Sequence, residues 1–184
     1  MGVKLRALLI FCLIALAFPL HSEDKVVIKD TLSIGSPVPI FTSIDIYGKA
    51  VNIENLKGKV VIILLGYTVQ PTKEQEKEDV NTCNFYDTTV DKGLEMISIS
   101  SKKGIPMGIS KSFVEGRAKK YCVEHKEHWQ VIIDWNSSLK KLFQMTDKPL
   151  VFVTDKSGII RYKKKGDLII DNNFEELIQK LLAE

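Results

Sequence analysis

Cysteine is scarce in this chain: three residues in 184, Cys12, Cys83 and Cys122, with no C-x-x-C pair among them. That count is too small for a disulfide-built scaffold. Six prolines and eleven glycines show no repeating period, which excludes collagen-like and low-complexity chains, and a hydrophobic share of 45% is too high for a disordered one. Neither sign of charge dominates. The 26 Lys and Arg against 23 Asp and Glu leave +3, and loss of Lys4 and Arg6 with the leader argued below would leave 24 against 23, or +1. Bulk charge therefore offers nothing to nucleic acid. There is no G-x-S-x-G, phosphate loop or H-E-x-x-H, no internal repeat and no linker. The length is that of one ordinary globular domain.

The N-terminus carries an address. Lys4 and Arg6 precede the apolar run 7–18, which is shorter than the roughly 20 residues a membrane span needs. Residues 1–22 read as a signal peptide, cleaved after Ser22, with a cut after Ala17 as second choice. Cys12 follows Phe11 in mid-run, the wrong place for a lipid-modified cysteine. The mature domain, 23–184, is then periplasmic or secreted, with no stable membrane span after cleavage, and retains only Cys83 and Cys122 in an oxidising compartment.

Patterning along that domain predicts an α/β fold. Asp45-Ile46-Tyr47-Gly48-Lys49 marks a turn between two short strands, and Lys59-Val60-Val61-Ile62-Ile63-Leu64-Leu65-Gly66 a central strand buried on both faces. Pro71 suits a first helical position, and the acids after it favour a helix from about 71 to 90. That helix starts at Pro71 with a solvent-facing first part, or its packed portion starts nearer Val80. Gly93 stops it, and Leu94 to Ser100 alternates as a strand. Ser112 and Glu115 have capping-box spacing for a helix ending near Lys126, whose face holds Phe113, Val114, Ala118, Tyr121 and Cys122. Strands follow at 129–134 and, beyond a helical turn at 136–145, at 149–155, with Pro149 at the first position. Lys156-Ser157-Gly158 turns the chain into Ile159 to Tyr162. Phe174, Leu177, Ile178, Leu181 and Leu182 give the last helix its stripe, with Asn172 and Glu175 as its cap. The order makes a mixed sheet with helices on both faces.

Three local stretches resemble the thioredoxin-like fold in its redoxin form, over residues 33–184. They are Ile34-Gly35-Ser36-Pro37-Val38-Pro39, Leu56-Lys57-Gly58-Lys59-Val60-Val61 and the run Pro149-Leu150-Val151-Phe152-Val153-Thr154-Asp155-Lys156-Ser157-Gly158. More narrowly, Gly66-Tyr67-Thr68-Val69-Gln70-Pro71-Thr72-Lys73-Glu74 followed by Gly104-Ile105-Pro106-Met107-Gly108 resembles the YtfJ family of small periplasmic thioredoxin-fold proteins, which lack the dithiol. The resemblance implies that Pro149 is the cis-proline facing the active-site loop.

Thioredoxin-like enzymes place a low-pKa thiolate at the start of the helix after the central strand. Set against W-C-x-P-C, this chain has Thr68, Val69 and Thr72 at the Trp and two Cys positions. Set against the peroxiredoxin V-C-P-T, it has Gln70 at the peroxidatic position. An amide or hydroxyl cannot replace a thiolate in exchange or in peroxide reduction. Cys83 lies thirteen residues past Gln70, roughly 20 Å along a helix. Alternating crossovers would set Cys83 and Cys122 on opposite faces of the sheet, unpaired, as packing residues.

Other motifs read as ordinary surface. Cys122, His125 and His128 spell C-x-x-H-x-x-H, but on a continuous helix the third member turns away by about 120°. Lys163-Lys164-Lys165 is a solvated turn after a hairpin strand, Asn136-Ser137-Ser138 is a sequon only in a eukaryotic setting, and nothing pairs Asp147 with Asp155 as acid and base. No metal, cofactor or nucleic-acid site is implied. The sequence therefore describes an exported thioredoxin-like domain without catalytic cysteines. Tyr67, Thr68, Val69, Gln70, Pro71, Thr72, Lys148 and Pro149 form a degenerate active-site groove able to hold an extended polypeptide or envelope protein. A thiol-disulfide oxidoreductase or peroxiredoxin-like enzyme using Cys83 or Cys122 is the alternative.

Overall fold

The computed structural model describes residues 32–67, 73–101 and 108–184. The leader 1–22 and both cleavage positions lie outside the described residues. No helix among those described is long and apolar enough to cross a membrane.

A two-stranded hairpin, β1 (Thr42–Ile44) and β2 (Ala50–Asn52), precedes a five-stranded sheet. Its turn is held by Asp45, whose carboxylate accepts from the N–H groups of Tyr47 and Lys49 at 2.9 and 2.8 Å. The sheet comprises β3 (Val60–Tyr67), β4 (Leu94–Ser101), β5 (Gln130–Asp134), β6 (Leu150–Thr154) and β7 (Ile160–Lys165), in the order β5-β4-β3-β6-β7. β3, β4 and β5 run parallel, while β6 and β7 are antiparallel. β3 is central, and its β-branched run is buried on both sides because each side faces a separate core.

On one face α1 (Lys73–Thr89), α2 (Lys111–His125) and α4 (Asn172–Ala183) cover Val60, Ile62 and Leu64 with Phe85, Tyr86, Val114, Ala118, Phe174, Ile178 and Leu181. On the other face the hairpin, a 3₁₀ turn at Ile53–Leu56 and the short α3 (Ser138–Leu142) cover Val61, Ile63 and Leu65, with Phe41 and Phe143 meeting edge to face at 5.7 Å.

This arrangement corrects the placement of the cysteines. Cys83 on α1 and Cys122 on α2 share one core. The crossovers β3 to β4 and β4 to β5 step toward the same sheet edge, so right-handedness puts both helices on the same face; alternation would require steps toward opposite edges.

Several local expectations also shift. The α2 cap is Ser110, whose hydroxyl accepts from Phe113 N–H at 3.3 Å, two residues before the Ser112 and Glu115 pair. The α4 cap is Asp171, accepting from Phe174 N–H at 2.8 Å, because aspartate reaches that N–H from an extended backbone and leaves Asn172 inside the helix. Residues 163–165 belong to β7, paired with 150–152. β4 is buried along nearly its whole length, Ser98 and Ser100 included, and the indole of Trp129 donates to Ser98 Oγ at 2.8 Å.

Candidate functional site

The C-terminal end of β3 meets the N-terminal start of β6 where the sequence places the groove. Gly66 interrupts β3 with a bulge at φ +81°, a conformation natural to glycine, and a methyl group there would come within 3.2 Å of Met145 Sδ and 3.3 Å of Pro149 Cα. Absence of a side chain thus lets β3 pass directly against the backbone at Pro149. The bond before Pro149 is trans, contrary to what the family resemblance implies. The trans form is favoured by about 0.5–1 kcal/mol before proline, and β6 begins immediately afterwards, with the Pro149 carbonyl accepting from Gly166 N–H at 2.9 Å. Lys148 is exposed, and its backbone N–H and C=O make no hydrogen bond to the described residues.

Beside Pro149 lies a pocket of about 30 Å³ lined by Leu64, Asp79, Thr82, Val151, Gly166 and Asp167. That is the space of about one water. Of the residues read as the groove, the structure sets Pro149 against the end of β3 at Gly66, with Lys148 and Tyr67 next to these two in sequence. Thr68, Val69, Gln70, Pro71 and Thr72 lie outside the described residues, as does most of the Gly104 to Gly108 loop.

The thiols are sealed away from this groove. Cys83 and Cys122 are unpaired and buried. Cys83 Sγ donates to the His125 carbonyl at 3.2 Å, and Cys122 Sγ donates to Glu127 Oε2 at 3.4 Å. Burial, and then the negative charge of Glu127, push the Cys83 thiol up to about 12 and Cys122 further still. Neither sulfur is a ready nucleophile at neutral pH. The C-x-x-H-x-x-H residues make separate contacts: Cys122 turns inward, His125 stacks on Tyr121 at 3.9 Å, and His128 is exposed.

The sequence reading has Tyr121 as a packing residue of α2 and Asp79 as one of the acids that favour α1, and it leaves Glu127 out; none of the three is read there as a site residue. The Tyr121 hydroxyl donates to Asp79 Oδ2 at 2.5 Å. Burial raises Asp79 above the ordinary carboxylate range despite that bond, and burial pushes Glu127 up to about 7. The signal was present: Asp79, Thr82, Cys83 and Tyr86 recur at i, i+3, i+4 and i+7, a buried stripe written partly in polar residues.

No protein-family model matches the chain. Among curated proteins, the thiol-disulfide oxidoreductase ResA of Bacillus thuringiensis subsp. konkukian is 24% identical over 153 residues, covering 83% of this chain and 81% of the relative. The ResA of Bacillus cereus is 23% identical over the same shares. The thioredoxin domain of a thiol-disulfide oxidoreductase from Bacteroides vulgatus superposes with a TM-score of 0.63 at 20% identity, covering 82% of this chain and 99% of that one. The fold is thioredoxin-like. A thiol:disulfide interchange protein of the thioredoxin family from Chlorobium tepidum gives the same score and identity, covering 82% and 98%. In sequence, the segment that joins β3 to α1, 68–72, contains no cysteine.

Proposed function

We propose that this is an exported thioredoxin-fold accessory protein that holds an extended polypeptide across the groove between Lys148-Pro149 and residues 67–72, without dithiol or peroxidatic chemistry. The observation that carries the reading is the state of the thiols: both cysteines of the described chain are buried, hydrogen-bonded and raised far above neutral pH. The position of Lys148 supports it as well: it is exposed at a strand entrance, and its backbone makes no hydrogen bond to the described residues, which suits pairing with an added strand. The narrower resemblance to the YtfJ family, read from residues 66–74 and 104–108, points the same way. Export rests on the apolar leader.

The relatives favour a second reading. Their names describe thiol-disulfide oxidoreductases, and an enzyme of that class would have to use Cys83 or Cys122 after a rearrangement that exposes one of them.

The deciding experiment pairs two assays on the secreted protein. A reduced, carboxymethylated unfolded polypeptide is titrated while binding is followed by NMR shifts, and the reduced protein is separately offered glutathione disulfide. The accessory reading predicts saturable binding that falls at least about tenfold in a Thr68→Arg, Lys148→Pro double variant, with no release of glutathione. Glutathione release abolished by Cys83→Ser or Cys122→Ser establishes the enzyme reading, and capture unchanged in the double variant removes the groove.

A further inference from the structure

α2 ends in a Schellman turn. Lys126 takes the left-handed conformation at φ 57°, its N–H donates to the Val123 carbonyl at 3.4 Å, and Glu127 N–H reaches back to the Cys122 carbonyl at 2.8 Å. In such a turn the residue after the left-handed one ordinarily packs a hydrocarbon against the helix residue that receives its N–H. Here the pair is Glu127 and Cys122, a carboxyl against a thiol. Glu127 is only 6% exposed. Burial is the first influence against a negative charge on Glu127. The C-terminal end of α2 presents the negative pole of the helix. Asp79 of α1 adds a second acid, and Cys83 of α1 and Tyr47 of the β1–β2 turn lie close enough to feel a charge on Glu127. The Cys122 S–H, which donates to the carboxyl, and His125, stacked on Tyr121, favour the anion, and burial together with Asp79 outweighs them. Lys126 and His128 flank Glu127 in sequence and are exposed.

We propose that Glu127 is a proton-operated latch on the seam between α1 and α2. Protonated, the carboxyl fills the hydrocarbon position of the turn and accepts the Cys122 S–H, so the end of α2 stays seated on α1. Ionised, it becomes a buried charge at the negative end of a helix and beside the Asp79 carboxyl, which the single Cys122 S–H does not offset, and the turn opens to let water reach it. The seam continues to the pocket beside Pro149 through Tyr121 and Asp79, since Asp79 is hydrogen-bonded to the first and lines the second.

A carboxyl at about 7 in the closed turn, against 4.5 when solvated, makes opening more favourable as pH rises. Proton linkage converts that difference into an opening constant that increases about 30-fold between about pH 5.5 and about pH 8.5. Hydrogen exchange at the Lys126 and Glu127 amides, corrected for intrinsic exchange rates, reads it. The latch predicts that rise in the wild-type protein and a flat profile in Glu127→Gln. Equal profiles in the two proteins overturn it. Should Glu127→Gln fail to fold, the ¹³C carboxyl titration of wild-type Glu127 decides alone: a midpoint near 7 supports the latch and a midpoint near 4.5 overturns it.

Discussion

Cys83 donates its S–H to a carbonyl at the end of a helix and Cys122 donates its own to a carboxyl oxygen, so a thiolate would face the negative end of a dipole at Cys83 and the Glu127 carboxyl at Cys122. With Cys83 at about 12 instead of 9.0, its thiolate fraction falls about 1000-fold, and alkylation of the native protein near neutral pH slows by about that factor. Iodoacetamide labelling followed by mass spectrometry checks this, and labelling at the rate of a small thiol would mean the cysteines spend time outside the core. Gly66 makes a second residue-scale claim. Gly66→Ala forces a left-handed Ala against Met145 and Pro149 and costs about 1–2 kcal/mol in denaturant unfolding. That residues 68–72 hold no cysteine was legible in the sequence, because a missing residue type needs no coordinates. The role of Gly66 was not, since its neighbour Pro149 is 83 residues away.

Helix termini and strand bounds were read to within a few residues, and the misses share one cause. Ser, Asp and Asn compete for each cap, and the winner is set by which side chain meets an N–H two or three residues ahead, a matter of backbone geometry. The structure therefore assigns cap energy to Ser110 and Asp171. Ser110→Ala and Asp171→Ala each lower stability by about 1 kcal/mol, and Ser112→Ala changes it little, as thermal unfolding at fixed pH will report. The start of the packed part of α1 was open between Pro71 and Val80. Val80 is about half exposed, and among the side chains described the buried stripe starts at Asp79. Val80→Ala is accordingly close to neutral, within about 0.5 kcal/mol, and Phe85→Ala costs about 3–5 kcal/mol. The lysine run at 163–165 resembled a turn because alternation is invisible when every residue carries the same charge.

For the whole molecule, the fold was legible because the central strand, its acidic helix and the terminal hairpin each have a one-dimensional signature. The relation between the helices was not, because the face a helix covers depends on strand order, and strand order is not written locally. Stability against pH is also a property of the whole. Asp155 is penalised by burial, yet N–H groups of Ile159 and Ser157 and the guanidinium of Arg161 outweigh that and hold it below the ordinary range. Its contribution is present above 3.8 and fades as pH falls. Glu127 and Asp79 are raised, so the unfolded chain gives up their protons first and stability declines as pH rises, for Glu127 between 4.5 and about 7. Thermal unfolding followed across pH should peak in the mildly acidic range between these slopes, and a plateau continuing undiminished past neutrality would refute the sign.

The two tryptophans stand in unlike surroundings. Trp129, two residues beyond Glu127, is buried, donates its indole N–H to Ser98 and meets Tyr86 of α1 edge to face at 5.5 Å. Trp135 is half-buried at the end of β5, with Lys111 over its ring. Ultraviolet emission from this chain is therefore a sum of one blue-shifted and one red-shifted lamp, both on the face where the three long helices meet, the first inside its core and the second at its margin. With Trp135→Phe the remaining light comes from Trp129 alone, and its colour follows the wetting of that face without any added dye.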